Sequence, residues 1–132
     1  MNGPYSIVDP GKFSSLEFGP FITVRENVTA DDAGNPANYD NCFDLTGYEF
    51  IEIFVKLSGT SPEWDITPLF GQDEADHVFH EGQRVTVNSN LKMTLSVLGA
   101  KYFYLRCDGS SGTSPKIDRI RIRPFNVVRY KR

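Results

Sequence analysis

The densest set of reactive side chains in the sequence is Gln72-Asp73-Glu74-Ala75-Asp76-His77-Val78-Phe79-His80, with three carboxylates and both histidines. Carboxylate and imidazole together can ligate a metal ion. In an extended chain, however, His77 and His80 project to opposite faces, so one ion could not reach both. A solvated turn leading into a strand is the simpler reading. Asp31, Asp32, Asn35, Asn38 and Asp40 could offer oxygens to calcium, but they lack the Asp-x-Asp-x-Asp-Gly order and the closing Glu of a calcium loop. Gly109-Ser110-Ser111-Gly112 could cradle a phosphate or present a nucleophile, yet it neither opens a helix nor matches Gly-x-Ser-x-Gly. It reads as a turn. No catalytic, cofactor-binding or metal-binding set is assigned, and neither enzymatic activity nor a cofactor is expected.

Arg119, Arg121 and Arg123 alternate with Ile120 and Ile122, so an extended chain lines up three guanidinium groups on one face. Such a row can contact nucleic acid, dock on an acidic protein, or pair with acids such as Glu49 and Glu52 on a neighbouring strand. The charge is segregated. Lys116 to Arg132 carries seven basic residues against one acid, a net +6, while the rest carries seven against sixteen, a net −9. The whole chain is acidic, at −3, and shows no nucleic-acid motif, which weighs against direct nucleic-acid contact. Trp64 alternates with Ile66 and is expected in the core. Exposed beside Tyr48, Tyr102 or Tyr104, it would instead make a stacking platform for a sugar. Cys107 shares a strand face with Phe103 and Leu105 and reads as a buried free thiol, unpaired with Cys42.

These groups must be positioned by strands. The 132 residues suit one domain, and ten Phe with six Tyr suit a packed, β-rich one. The N-terminus does not resemble a secretory signal, and no apolar run approaches the roughly 20 residues that span a bilayer. Cytosolic synthesis without membrane contact is expected. Period-2 alternation predicts strands over Phe21 to Arg25, Tyr48 to Leu57, Glu63 to Phe70, His77 to His80, Arg84 to Asn88, Leu91 to Val97, Lys101 to Cys107, Arg119 to Arg123 and Val127 to Tyr130. Together they point to an all-β fold, an antiparallel, jelly-roll-like β-sandwich of about eight strands over residues 21–132. Residues 1–20, with Pro4, Pro10, Gly11, Gly19 and Pro20, are expected to form an irregular arm that packs on the domain or on a neighbour.

The pentapeptide Ser58-Gly59-Thr60-Ser61-Pro62 recurs as Ser111-Gly112-Thr113-Ser114-Pro115. Glycine supplies positive φ, the hydroxyls bond nearby backbone, and proline opens a strand, so two related hairpin connections are expected. Along the flanking strand, Ile51, Ile53, Val55 and Leu57 share one face while Tyr48, Phe50 and Phe54 occupy the other. Tyr102 and Tyr104 likewise lie opposite Phe103 and Leu105. Aromatics on both faces predict an outer surface covered by another subunit, a host protein or the N-terminal arm. The interface candidates are Tyr48, Phe50, Phe54, Tyr102, Tyr104, Arg119, Arg121 and Arg123.

The stretches Val55 to Pro68 and Tyr102 to Pro115 resemble small β-rich virion proteins of tailed bacteriophages, the capsid decoration (cement) and tail-accessory proteins. The resemblance implies a noncatalytic structural protein of the virion, made in the host cytoplasm. It implies a homo-oligomer, a trimer suiting capsid threefold positions, that docks on the major capsid protein or another virion protein. The alternative is a carbohydrate-binding β-sandwich module or phage adhesin.

Overall fold

Alternation with period two and the wealth of β-branched and aromatic residues give strands alone. A computed structural model of the chain describes residues 14–32, 42–71, 79–97 and 99–129. Within them lie β1 (Ser14–Phe18), β2 (Ile22–Val28), β3 (Phe43–Asp44), β4 (Phe50–Gly71), β5 (Phe79–Glu81), β6 (Val85–Val87), β7 (Leu91–Ser96) and β8 (Tyr102–Arg129). They form one hydrogen-bonded, eight-stranded antiparallel sheet, in agreement with the all-β, antiparallel expectation.

Two strands organise the rest. β4 has 22 residues and β8 has 28, several times the usual strand of about 5 or 6. They pair along their length, from Phe50 with Phe125 to Gly71 with Tyr102. β1, β2 and β3 attach to β8, and β5, β6 and β7 attach to β4. Segments expected as separate strands, Tyr48 to Leu57 and Glu63 to Phe70, are therefore parts of one strand.

The repeated pentapeptides explain how such long strands bend. They are not hairpin turns; they lie opposite each other in the middle of the β4–β8 pair. Thr60 pairs with Thr113, the third residue of each copy, so the copies meet about a local twofold. The backbone repeats too, with φ of 109° and 100° at Gly59 and Gly112, and 47° and 51° at Ser61 and Ser114. A Cβ on Gly59 would run into the carbonyl oxygen of Ser114, and one on Gly112 into that of Ser61. Pairing slips between Ser58 and Thr60 and again between Thr60 and Glu63, and such bulges bend and twist a ladder without ending it. Gly109-Ser110-Ser111-Gly112, read as a turn, likewise lies inside β8.

The bend divides the ribbon into two halves that share one core. One half joins β7, the first part of β4, the last part of β8, and β2 with β1. The other joins β5 and β6, the end of β4, the start of β8, and β3. Ile51, Ile53, Val55, Ile120 and Ile122 from the first half pack in one cluster with Trp64, Ile66, Val87, Phe103, Leu105 and Cys107 from the second. Part of the segment expected as an irregular arm is strand β1, in register from Ser14 with Arg129 to Phe18 with Phe125. Residues 1–13 lie outside the described residues.

Candidate interface on the arginine face

Inward isoleucines fix what faces outward. With Ile51, Ile53 and Val55 of β4 and Ile120 and Ile122 of β8 in the core, the residues between them line the opposite face. Register pairs them: Arg123 beside Glu52, Arg121 beside Phe54, and Arg119 beside Lys56. The arginine row thus has three different neighbours.

Arg123 is held by charge. Its Nε donates to Glu52 Oε1 at 2.7 Å and its Nη2 lies 2.6 Å from the same oxygen, while Lys92 Nζ reaches Glu52 Oε2 at 2.8 Å. Glu52 is only 6% exposed. Burial pushes its pKa up, but the hydrogen bonds from Lys92 and Arg123 and their charges outweigh burial and hold it below the ordinary value. A carboxyl depressed on folding stabilises the protein above its unfolded pKa, and that contribution fades as pH falls through the folded pKa. Stability should therefore decline below about pH 4.5, the ordinary glutamate value. Urea titrations at neutral and acid pH should show Glu52→Gln costing about 1 kcal/mol near neutrality and flattening this decline; an unchanged slope would exclude Glu52 as its source.

Arg121 and Arg123 are covered by rings from the end of β1 and the β1–β2 connection. The Arg123 guanidinium carbon lies 3.9 Å from the Phe18 ring centroid and 4.8 Å from that of Phe21, and that of Arg121 lies 4.7 Å from Phe21. Phe18 also meets Phe125 at 5.4 Å, Phe21 meets Phe54 at 5.6 Å, and Phe50 stacks on Phe125 at 5.3 Å. Gly19 N–H donates to Pro124 O at 2.8 Å, and Gly19 sits against the Tyr48 ring, where a Cβ would collide. The chain's own N-terminal segment is thus one cover for the outward aromatics Tyr48 and Phe54, while Phe50 stacks on Phe125 of β8. The cover is itself apolar and exposed: Leu16 by 54%, Phe18 by 42% and Phe21 by 46%.

The other two aromatic candidates lie in the other half. Tyr102 is half-buried beneath Lys101, whose Nζ is 5.1 Å from the ring centroid. Tyr104 is 7% exposed and belongs to an internal knot. Arg25 donates to both Asp32 carboxylate oxygens at 2.7 and 3.0 Å, to Tyr104 Oη at 3.1 Å and to Leu105 O at 2.8 Å. Asp32 Oδ2 also accepts the Cys107 N–H at 2.8 Å. Burial alone would lower the Arg25 pKa, but the hydrogen bond to Asp32 and its negative charge raise it, so Arg25 stays charged. Nothing in the sequence pairs Arg25 with Asp32 or puts Phe18 and Phe21 on the arginines, because both associations depend on the paths of connections between strands.

The chemical candidates do not gather. His80 is exposed, while Asp73, Glu74, Asp76 and His77 lie outside the described residues, as do Asn35, Asn38 and Asp40. No three His, Cys, Asp or Glu side chains among the described residues are grouped to hold a metal. Burial pushes the Cys107 thiol up to about 12 and Cys42 up to about 11, so neither is a thiolate at neutral pH. Both are free. Trp64 is fully buried and cannot stack on a sugar.

The described surface includes two concavities. A shallow cleft of about 270 Å³ lies among Phe21, Phe54, Val55, Lys56, Arg119 and Arg121. A larger groove of about 600 Å³ runs between β7 and the β5–β6 side, with Leu91, Met93 and Leu95 facing Pro68, Phe70 and Val85. β7 pairs with β4 on one side and with no other strand among the described residues. The core therefore reaches the surface along this edge.

No family model and no curated protein matches the sequence. Among solved structures, the fold is similar to that of the SPBc2 prophage-derived protein YomS, with a TM-score of 0.54 and 14% identity over 86% of this chain and 96% of that one.

Proposed function

We propose that this chain is a noncatalytic structural protein of a phage particle, acting as a capsid decoration or cement protein that self-associates and bridges neighbouring shell subunits. The observation that carries this reading is the apolar groove along β7, about 600 Å³ in volume and bordered by a strand edge without a strand partner among the described residues. An apolar face at an open strand edge is a surface that association covers. The exposed Leu16, Phe18 and Phe21 add a second apolar surface. Support for the phage setting comes from the shared fold with a prophage-derived protein and from the resemblance of the bent segments to small virion proteins.

In this reading the β7 groove joins copies of the chain, a trimer matching capsid threefold positions, and the arginine face meets the major capsid protein or another virion protein. Symmetric attachment multiplies weak contacts by orders of magnitude, so the work is mechanical. Neither nucleic acid nor membrane is a partner, and the protein resides in the virion.

Sedimentation equilibrium tests the association directly. The expected result is a trimer mass that falls toward the monomer in Leu95→Glu, with an unchanged circular dichroism spectrum. A wild-type chain that stays monomeric at every concentration, and does not co-sediment with particles assembled from the proteins of its own phage, would overturn the reading.

A further inference from the structure

Lys56 and Arg119 are direct partners in the β4–β8 register, which brings two cationic side chains together with Cβ atoms about 5 Å apart. Arg121 follows on the same face of β8, roughly 7 Å further along the strand. Like charges set directly opposite destabilise a sheet, and neither cation is in an ion pair among the described residues. The ion pairs among the described residues are Arg25–Asp32, Lys92–Glu52, Arg123–Glu52, Arg106–Glu81 and Arg106–Asp108. Glu26, the partner of Arg119 from β2, forms none. Three cations outside any ion pair therefore stand around the 270 Å³ cleft whose other walls are Phe21, Phe54 and Val55. Phe21 stacks on the Arg121 guanidinium at 4.7 Å, which restrains the fork while leaving its N–H edge available.

We propose that this cleft binds the carboxylates of an extended acidic segment on a partner protein of the particle. The inference rests on the structural reading above and names the chemistry of its docking contact. An extended chain presents every second side chain on one face at a spacing of about 7 Å. Acids at alternate positions therefore match Arg119 and Arg121, with Lys56 beside the first. An apolar side chain between or beside them meets Phe21 and Phe54. Bound carboxylates relieve the repulsion between Lys56 and Arg119, so the free cleft is primed for them. A nucleic-acid strand fits less well, because it needs a longer basic track than Lys56, Arg119 and Arg121 supply.

A short synthetic peptide alternating Glu with Phe, titrated into the intact chain, tests the site. Binding should shift the side-chain Nε–H signals of Arg119 and Arg121 and weaken as salt rises. Arg119→Ala and Arg121→Ala should each weaken it roughly tenfold, as loss of a charge-assisted contact does, whereas Lys101→Ala, beside Tyr102 in the other half of the ribbon, should leave it unchanged. Equal binding of the same peptide with Gln for Glu, no loss in either variant, or tighter binding of a short oligothymidylate would overturn the proposal. Co-sedimentation with particles separates this inference from the reading beneath it. If Arg119→Ala/Arg121→Ala protein sediments as well as wild type, the cleft is overturned and the structural role stands; if wild type does not sediment while the peptide still binds, the structural role falls.

Discussion

Gly59→Ala and Gly112→Ala should each destabilise the fold by about 3 kcal/mol or more, lowering the midpoint of thermal unfolding by roughly 10 °C. Two effects combine at these positions. Each glycine holds a φ near 100°, a conformation that side chains rarely adopt. Each also lies against a carbonyl of the other pentapeptide, Ser114 for Gly59 and Ser61 for Gly112, so a methyl group forces backbone from backbone at the bulge where the two long strands pair. Gly99→Ala separates the effects: φ there is 75° and nothing lies within 4 Å of the added carbon, so conformational strain acts alone, at about 1 kcal/mol. Urea denaturation of the three variants is the measurement. Losses equal to that of Gly99→Ala would show that the close approach is not what glycine protects, and unequal losses at Gly59 and Gly112 would argue against the local twofold.

The same bulge marks the boundary of what the sequence reveals. Strand faces were legible because alternation is a local property. Ile51, Ile53 and Val55, then Ile120 and Ile122, enter the core, and the arginines between the latter turn outward. Cys107 and Trp64 are buried as their neighbours' pattern requires. The pentapeptides misled for a physical reason. Gly, Ser and Pro at those spacings satisfy the chemistry of a turn, but a bulged ladder needs the same positive φ values, and only the identity of the paired strand separates the two. That partner lies 53 positions away, where Thr60 meets Thr113. The interface candidates divided on similar grounds. Tyr48, Phe50, Phe54 and the arginines gather on one face because they flank paired strands. Tyr104 was expected outside because it alternates with Phe103, yet Arg25 from β2 and Asp32 from the segment after it enclose it.

That enclosure carries the second large effect. Asp32→Ala should cost about 3 kcal/mol, because it removes more than a surface ion pair. The Asp32 carboxylate takes two hydrogen bonds from Arg25 and one from the Cys107 backbone. The Arg25 and Asp32 side chains are only 15% and 13% exposed. Truncating Asp32 leaves a largely buried guanidinium without its counter-charge and a β8 amide without that acceptor, and such orphaned groups are penalised more heavily than an intact pair stabilises. Arg25 cannot respond by releasing its proton, since a guanidinium remains charged at any working pH. The double variant Arg25→Met/Asp32→Ala removes the orphaned charge while retaining a long apolar stem beside Tyr104. It should therefore unfold at higher urea than Asp32→Ala alone, and a double-mutant cycle should return a coupling energy above about 1 kcal/mol. Strictly additive losses would mean that the two side chains are neighbours without being partners. Coupling of the expected size would instead make the Asp31–Asp32 segment the clasp that ties the chain after β2 to β8 beside the bend, fixing the second half of the ribbon against the first.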